Sequence, residues 1–224
     1  MAAMSPEDHK IVSDAVAAAE QATSGEIVPV IADRSDGYTD IAFAWAAGLA
    51  FTVQTLLVLF PDPPLRFYES LHGTWNAEWL PHDVFGMSAA IGILVFFLAF
   101  LLQLWSPLRF ALIPGIVKTN RVEEKAIELF KVGAEKRTRG HTGVLIYLSM
   151  QEHRAEIVAD RPILEKVEPE VWGDAMAGML AEIRQGKVAD GLAAGIRDVG
   201  AILSQHFPRG EEDRNELPDR LIEV

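Results

Sequence analysis

The chain has 224 residues and a mass of 24.6 kDa; half of its residues are apolar, 23% are charged, and its mean hydropathy is +0.15. A net charge of −12, from 32 acidic against 20 basic residues, excludes a general nucleic-acid binder, because phosphate recognition needs the opposite sign. There is no cysteine, which excludes disulfides, thiolate metal sites, iron–sulfur clusters and cysteine catalysis, and the apolar content excludes a disordered chain.

No secretory signal opens the chain; residues 1–21 are polar and predict a helix. Ser5 is placed to cap it, Pro6 suits its first turn, and Asp8 stands at the capping-box position. Ile11, Val12, Ala15, Val16, Ala18 and Ala19 form one apolar face. Thr23-Ser24-Gly25 ends the helix, either as a turn with Gly25 in the left-handed region or as a set of N–H groups presented to an anion. Glu26–Ala32 (EIVPVIA) predicts a strand, at an edge or bulge because Pro29 has no N–H to give.

Two apolar runs without a charged residue follow, at 41–60 and 84–105. At 1.5 Å per residue each reaches about 30 Å, the thickness of a bilayer core. The intervening residues 61–83 are polar, with Pro61, Pro63, Pro64 and Pro81 as breakers, and predict a short loop. The two spans form a transmembrane hairpin that leaves both chain ends on one side of the lipid bilayer. The loop carries Arg66 against Asp62, Glu69, Glu78 and Asp83, whereas Arg34, Arg109, Lys118, Arg121 and Lys125 flank the spans on their other side. That asymmetry places the chain ends in the cytoplasm. Trp45 and Trp105 then sit at one membrane face, and Phe60, Trp75, Trp79 and Phe85 near the other. The polar residues within the runs are Thr52, Gln54, Thr55, Ser88 and Gln103, none ionisable, so the hairpin reads as an anchor and not as a pore or transporter. Residues 106–113 can lie along the membrane surface before Pro114-Gly115 turns the chain away.

Beyond the hairpin, 121–137 predicts a second amphipathic helix, with Val122, Ala126, Leu129, Phe130 and Gly133 on its apolar face. Residues 139–143 form a turn, 144–149 (VLIYLS) a central strand, and 154–160 (RAEIVAD) a returning strand. A short connection at 162–167 leads to a helix opened by Pro169 and closed by Gln185-Gly186. A last helix covers about 187–206, and the acidic residues 209–224 read as a flexible tail. A single strand cannot fold alone, so Glu26–Ala32 must join the later strands. The hairpin (41–105) is therefore an insertion that splits one α/β domain into 1–40 and 106–208.

Glu26 opens one strand and is followed after its end by Asp33 and Asp36; Asp160 closes another. Brought together, two or three of these carboxylates could hold calcium or magnesium through oxygen ligands and assist phosphoryl transfer. Kept apart, they cap helices or face water. Arg161 can pair with a phosphate or carboxylate ligand, or form a local salt bridge. His141 and His153 fall at opposite ends of the central strand, and His72 with His82 in the loop lacks further zinc ligands. No G-x-x-x-x-G-K, G-x-S-x-G or H-E-x-x-H occurs.

As a set, Thr23-Ser24-Gly25-Glu26-Ile27, Gly143-Val144-Leu145-Ile146-Tyr147, Glu156-Ile157-Val158-Ala159-Asp160, Gly191-Leu192 and His206-Phe207-Pro208 resemble the TPM-domain family, over 5–32 and 121–208. The chain looks most like bacterial inner-membrane members in which a two-span hairpin interrupts the domain. The resemblance implies a small sandwich with a short mixed sheet flanked by helices. It implies an accessory or interaction role beside a membrane-protein complex, without catalysis, and as the alternative the metal-assisted acid phosphatase described for some plant relatives. It also implies that calcium or magnesium binds near one sheet end; Glu26, Asp33 and Asp160 are the metal candidates in this chain and Arg161 the anion candidate. Many relatives have a glycine-rich turn where this chain has Ala159-Asp160-Arg161-Pro162, and many sit outside the cytoplasm, which makes a periplasmic domain the alternative orientation.

Overall fold

The computed structural model describes residues 4–72, 79–133, 141–210 and 215–224. Trp75, Glu78, the helix end expected at 134–137, Arg139-Gly140, residues 211–214 and the His72 side chain lie outside the described residues. In chain order the elements are α1 (Pro6–Glu20), β1 (Glu26–Ala32), α2 (Thr39–Leu59), α3 (Asp62–His72), α4 (Pro81–Leu102), α5 (Ser106–Leu112), α6 (Gly115–Gly133), β2 (Gly143–Ser149), β3 (Arg154–Ala159), α7 (Arg161–Leu164), α8 (Pro169–Ile183), α9 (Val188–His206) and β4 (Ile222–Glu223). They fall into two compact units: Met1–Asp36 with Gly115–Val224, and Gly37–Pro114.

The first unit is an α/β sandwich. Helix α1 starts on the expected capping box: Ser5 Oγ accepts the Asp8 N–H at 3.1 Å, and the Asp8 carboxylate accepts the Ser5 N–H at 3.1 Å. The sheet order is β3-β2-β1-β4. β1 runs parallel to β2 from Glu26 opposite Gly143 to Ala32 opposite Ser149, and β3 returns antiparallel to β2. Both central strands are buried along their whole length, so their sequences are continuous apolar runs. Ile27, Ile31, Val144, Ile146 and Leu148 pack toward Val12 and Val16 of α1, Trp172 and Met179 of α8, and Leu192, Ile196 and Leu203 of α9. Val28, Val30, Ala32, Leu145 and Tyr147 pack on the opposite face against Val122, Ala126 and Phe130 of α6. A parallel strand pair needs a crossover connection. Here the second unit is inserted in that crossover, and α6 completes it.

Several local expectations change. Residues 209–224 read as a flexible tail, but the described residues 215–224 lead back to the sheet. β4 pairs parallel to β1 at Val30–Ile222 and Ile31–Glu223, and Leu217 and Leu221 are buried. Two leucines spaced within a polar segment carry no helical or strand period, yet they close the two cores. β1 is accordingly not an edge along its length, although the reason for expecting one survives. The Ile27 N–H points away from β2 to Glu20, and the Ile31 carbonyl accepts from Val224 on that same side. Pro29 lies between them by alternation, so its missing N–H faces a stretch that β4 does not reach. Gly25 does not take a positive φ; Gly186, which ends α8, does (φ 85°). Gly25 is needed for space, since a Cβ there would lie 2.9 Å from Leu203 Cδ1 and 3.4 Å from the Thr142 carbonyl. Helix α6 begins at Gly115, earlier than the expected 121, and the connection expected over 162–167 opens with the single turn α7 (Arg161–Leu164).

The second unit holds two helices, α2 and α4, long and apolar enough to cross a membrane. They pack on each other through polar and small residues. Gln54 Nε2 donates to the Ser88 carbonyl at 2.8 Å, Ser88 Oγ donates to Gln54 Oε1 at 2.5 Å, and the Gln54 side chain fills the space left by Gly92. Thr52 and Thr55 donate to carbonyls of their own helix, and Gln103 Nε2 reaches the Ala42 carbonyl at 3.1 Å. Phe43 stacks on Phe100 at 4.7 Å. The region expected to be a polar loop contains the eleven-residue helix α3. Pro63 and Pro64 fall in its first turn, where a proline costs no hydrogen bond.

Close helix packing in the first unit rests on α9 glycines. A Cβ on Gly200 would lie 2.6 Å from Ala19 Cβ of α1, whereas one on Gly173 of α8 would meet nothing within 4 Å. Gly200→Ala is expected to destabilise the protein by about 1–3 kcal/mol through overpacking. Gly173→Ala is expected to stabilise it by about 0.5–1 kcal/mol through helix propensity. Chemical denaturation of the two variants checks this pair of opposite signs.

Candidate functional site

The two ends of the β1–β2 pair carry different polar clusters. At the end where both strands start, Glu26 is buried and its two carboxylate oxygens accept the backbone N–H groups of Glu216 (3.0 Å) and Leu217 (3.1 Å). Asp160 lies at the same end, also buried, and its Oδ2 accepts the Gly143 N–H at 3.0 Å. Glu20, the last residue of α1, accepts the Ile27 N–H at 2.9 Å. Its pKa is pushed up to about 8, first by burial, opposed by the Ile27 N–H, then raised by the charges of Glu26 and Asp219 and by a hydrogen bond to Asp219. The Thr23-Ser24-Gly25 turn meets the end of α9 here: Thr23 Oγ1 donates to the Phe207 carbonyl at 2.6 Å, and the Ser24 N–H to the same oxygen at 3.0 Å. This seals a turn; its polar groups are spent on chain and not on an anion.

At the end where both strands finish, Ser35 Oγ lies 3.0 Å from both Tyr147 Oη and Ser149 Oγ. Ser149 Oγ donates to Glu152 Oε2 at 2.5 Å, and the Ser35 N–H to Glu152 Oε1 at 3.0 Å. Tyr147, Ser149 and Glu152 are buried, and burial holds the Tyr147 phenol above its ordinary pKa, so it stays a neutral donor and acceptor. Asp33 accepts from Gln151 Nε2 at 2.6 Å, and Asp36 pairs with Arg121 of α6 at 3.2 Å. Ligands of α/β sheets gather at this end of parallel strands. The cluster was missed in sequence because Ser35, Ser149 and Glu152 belong to no motif; register alone brings them together. One local signal existed, a serine ending a strand three residues before a glutamate.

The three sequence-predicted metal candidates do not converge. Glu26 and Asp33 bracket a seven-residue strand, about 23 Å at strand rise. Asp160 is on the Glu26 side, joined to Gly143 opposite Glu26. One calcium or magnesium ion, with ligands at about 2.0–2.6 Å, cannot be held by all three. Among the described residues no group of three or more His, Asp or Glu side chains is arranged to hold an ion. Arg161 is exposed and pairs with Glu165 at 2.8 Å one turn on, the local salt bridge of the two sequence readings.

A family model described as the TPM domain matches residues 107–202. Over this stretch the chain is similar to the TPM-domain family. The match starts in α5 and ends within α9, so it takes in β2 and β3, while β1 lies before it. Among solved structures, the NMR structure of the BA42 protein from the psychrophilic bacterium Bizionia argentinensis is similar, with a TM-score of 0.56 and 18% identity over 99% of this chain and 96% of that one. The likeness is one of fold, helices around a four-stranded mixed sheet. A comparison with curated proteins gave no match.

The acids at the strand starts make two predictions about the α/β unit. Glu26→Ala orphans two N–H groups and is expected to cost about 1–3 kcal/mol for each, with faster hydrogen exchange of the Val224 amide that β4 pairs to Ile31. Glu20 has a folded pKa above its unfolded value of 4.5. Its favourable contribution is complete below pH 4.5 and is lost as pH rises through about 8. Glu20→Gln keeps the acceptor for Ile27, so its Tm relative to the unmodified protein should be near zero shift at pH 5 and rise toward pH 8–9. A shift equal at all pH values would contradict the assignment.

Proposed function

We propose that the protein is a membrane-anchored TPM domain that serves as a non-catalytic accessory or interaction module beside a membrane-protein complex of the bacterial inner membrane. The observation that carries the anchoring is the inside-out pattern of α2 and α4. Of the polar side chains in the two apolar runs, Gln54, Ser88 and Gln103 turn inward and hydrogen-bond across the hairpin, while the exposed Thr52 and Thr55 donate to carbonyls of their own helix. The bulky apolar side chains of α2 and α4 point outward, with Phe51 72% and Val58 78% exposed. Hydrocarbon requires satisfied polar groups and accepts apolar ones; water would reward the reverse arrangement. The accessory reading is supported by the use of the acids: Glu26, Asp33 and Asp160 each accept hydrogen bonds from the chain's own backbone or from Gln151. The excess of Lys and Arg beside the spans favours a cytoplasmic domain.

The natural chain has no cysteine, so single cysteines report topology cleanly. In intact cells a membrane-impermeant maleimide should label Ser70→Cys and spare Glu7→Cys on the exposed start of α1. Labelling of Glu7→Cys alone would put the domain outside the cytoplasm. The full-length protein is expected to show no phosphate-ester turnover with calcium or magnesium; turnover abolished by Glu26→Gln or Asp160→Asn would replace the accessory reading with the phosphatase one.

A further inference from the structure

The helix α3, in the connection between the two apolar helices, has a built amphipathic face. Pro64, Phe67, Tyr68 and Leu71 recur at i, i+3, i+4 and i+7, while Arg66, Glu69 and Ser70 occupy the other side. One edge of the apolar face is used: Pro64 and Leu65 line a cavity of about 210 Å³ with Leu57 and Val58 of α2 and Val84 and Phe85 of α4. The other edge is bare, with Phe67 and Leu71 each 66% exposed. Leu59, Phe60, Leu80 and Phe85 of the same unit, at the α3 ends of α2 and α4, are also exposed. The aromatic pair beside it is oriented by polar tips. Tyr68 meets Trp79 edge-on at 5.4 Å, and Trp79 Nε1 donates to Glu69 Oε1 at 3.0 Å, on the polar side of the helix.

We propose that α3 is an interfacial helix, lying in the plane of the bilayer with Phe67 and Leu71 in the outermost acyl region and Arg66, Glu69 and Ser70 toward water. The proposal rests on the reading of α2 and α4 as membrane-spanning. Its partner is the lipid surface itself, selected by chain connectivity: α3 begins three residues after α2 ends at Leu59 and ends nine residues before α4 starts at Pro81, so spanning helices hold its bare face at the bilayer surface. Eleven residues of helix reach only about 16 Å, half of a bilayer core, so α3 cannot cross. Asp62 and Glu69 against Arg66 give α3 no excess of positive charge, so its insertion depends on apolar burial and not on anionic headgroups. An anchor with such a helix at its turn has its depth fixed at that membrane face, with aromatic rings at headgroup level.

The test uses the full-length protein in phosphatidylcholine vesicles, with a bimane fluorophore on single cysteines at Phe67, Leu71, Ser70 and, in α4, Leu98. Quenching by lipids carrying a nitroxide high on the acyl chain should be several-fold stronger at Phe67→Cys and Leu71→Cys than at Ser70→Cys, and unchanged by 0.5 M salt or by adding phosphatidylglycerol. Strong quenching at Leu98→Cys with equal, weak quenching at 67, 70 and 71 overturns the proposal and leaves the anchor standing. Absence of quenching at Leu98→Cys overturns the anchor and the proposal with it. A signal at 67 that follows the protein-to-lipid ratio, and not nitroxide content, replaces the lipid partner with a second copy of the chain.

Discussion

The parallel pairing of β1 with β2 is the interaction on which the rest of the molecule depends. Seven residues of β1 must find seven residues of β2 across an intervening chain that contains the whole second unit. Loop closure over such a length costs entropy that grows only logarithmically, so an insertion of this size is tolerable once the strands have a reason to pair. That reason is burial on both faces. Ile27 and Ile31 enter the core made with α1, α8 and α9, while Val28 and Val30 enter the core made with α6. A slip of one residue would exchange the two sets and set β1 against the wrong partners.

The polar groups at the ends of that pair serve the same arrangement. Glu26 draws in the backbone of Glu216 and Leu217, which brings β4 alongside β1 and places Leu217 and Leu221 in the two cores. Asp160 closes β3 onto the start of β2, and Ser149 with Glu152 closes the loop that leaves β1. An acid at a strand end is therefore a structural acceptor in this chain. Glu20 differs in protonation: burial first, and then the charges of Glu26 and Asp219, keep it neutral into the physiological range.

In the second unit the apolar and polar side chains are disposed the other way round. A chain folded only for water would turn Phe51, Val58 and Phe97 inward and leave Gln54 and Ser88 outside; α2 and α4 do the opposite. The glycine at 92 has the same meaning as those in α9, a place where a neighbour comes too close for a Cβ. In α9 the neighbour is another helix backbone or core side chain, and in α4 it is the Gln54 amide that ties the hairpin together.

By itself the sequence determined the elements and the class: the capping box of Ser5 and Asp8, the two uncharged runs, the apolar strands 26–32 and 144–149, and the motifs that point to a TPM domain. These signals are local, because caps, hydropathy and strand period are written in neighbouring residues. Only the tertiary structure decided what sequence distance hides. It separated Glu26 from Asp33 by the length of a strand, brought Ser35 to Tyr147, Ser149 and Glu152, and returned residues 215–224 to the sheet. It also found α3 in a segment whose prolines read as loop, since a proline in a first helical turn and a proline in a loop look alike until the following residues are seen to close their hydrogen bonds. Such contacts depend on register and on which face of an element is left to bury, and neither is set until the parallel pair has formed.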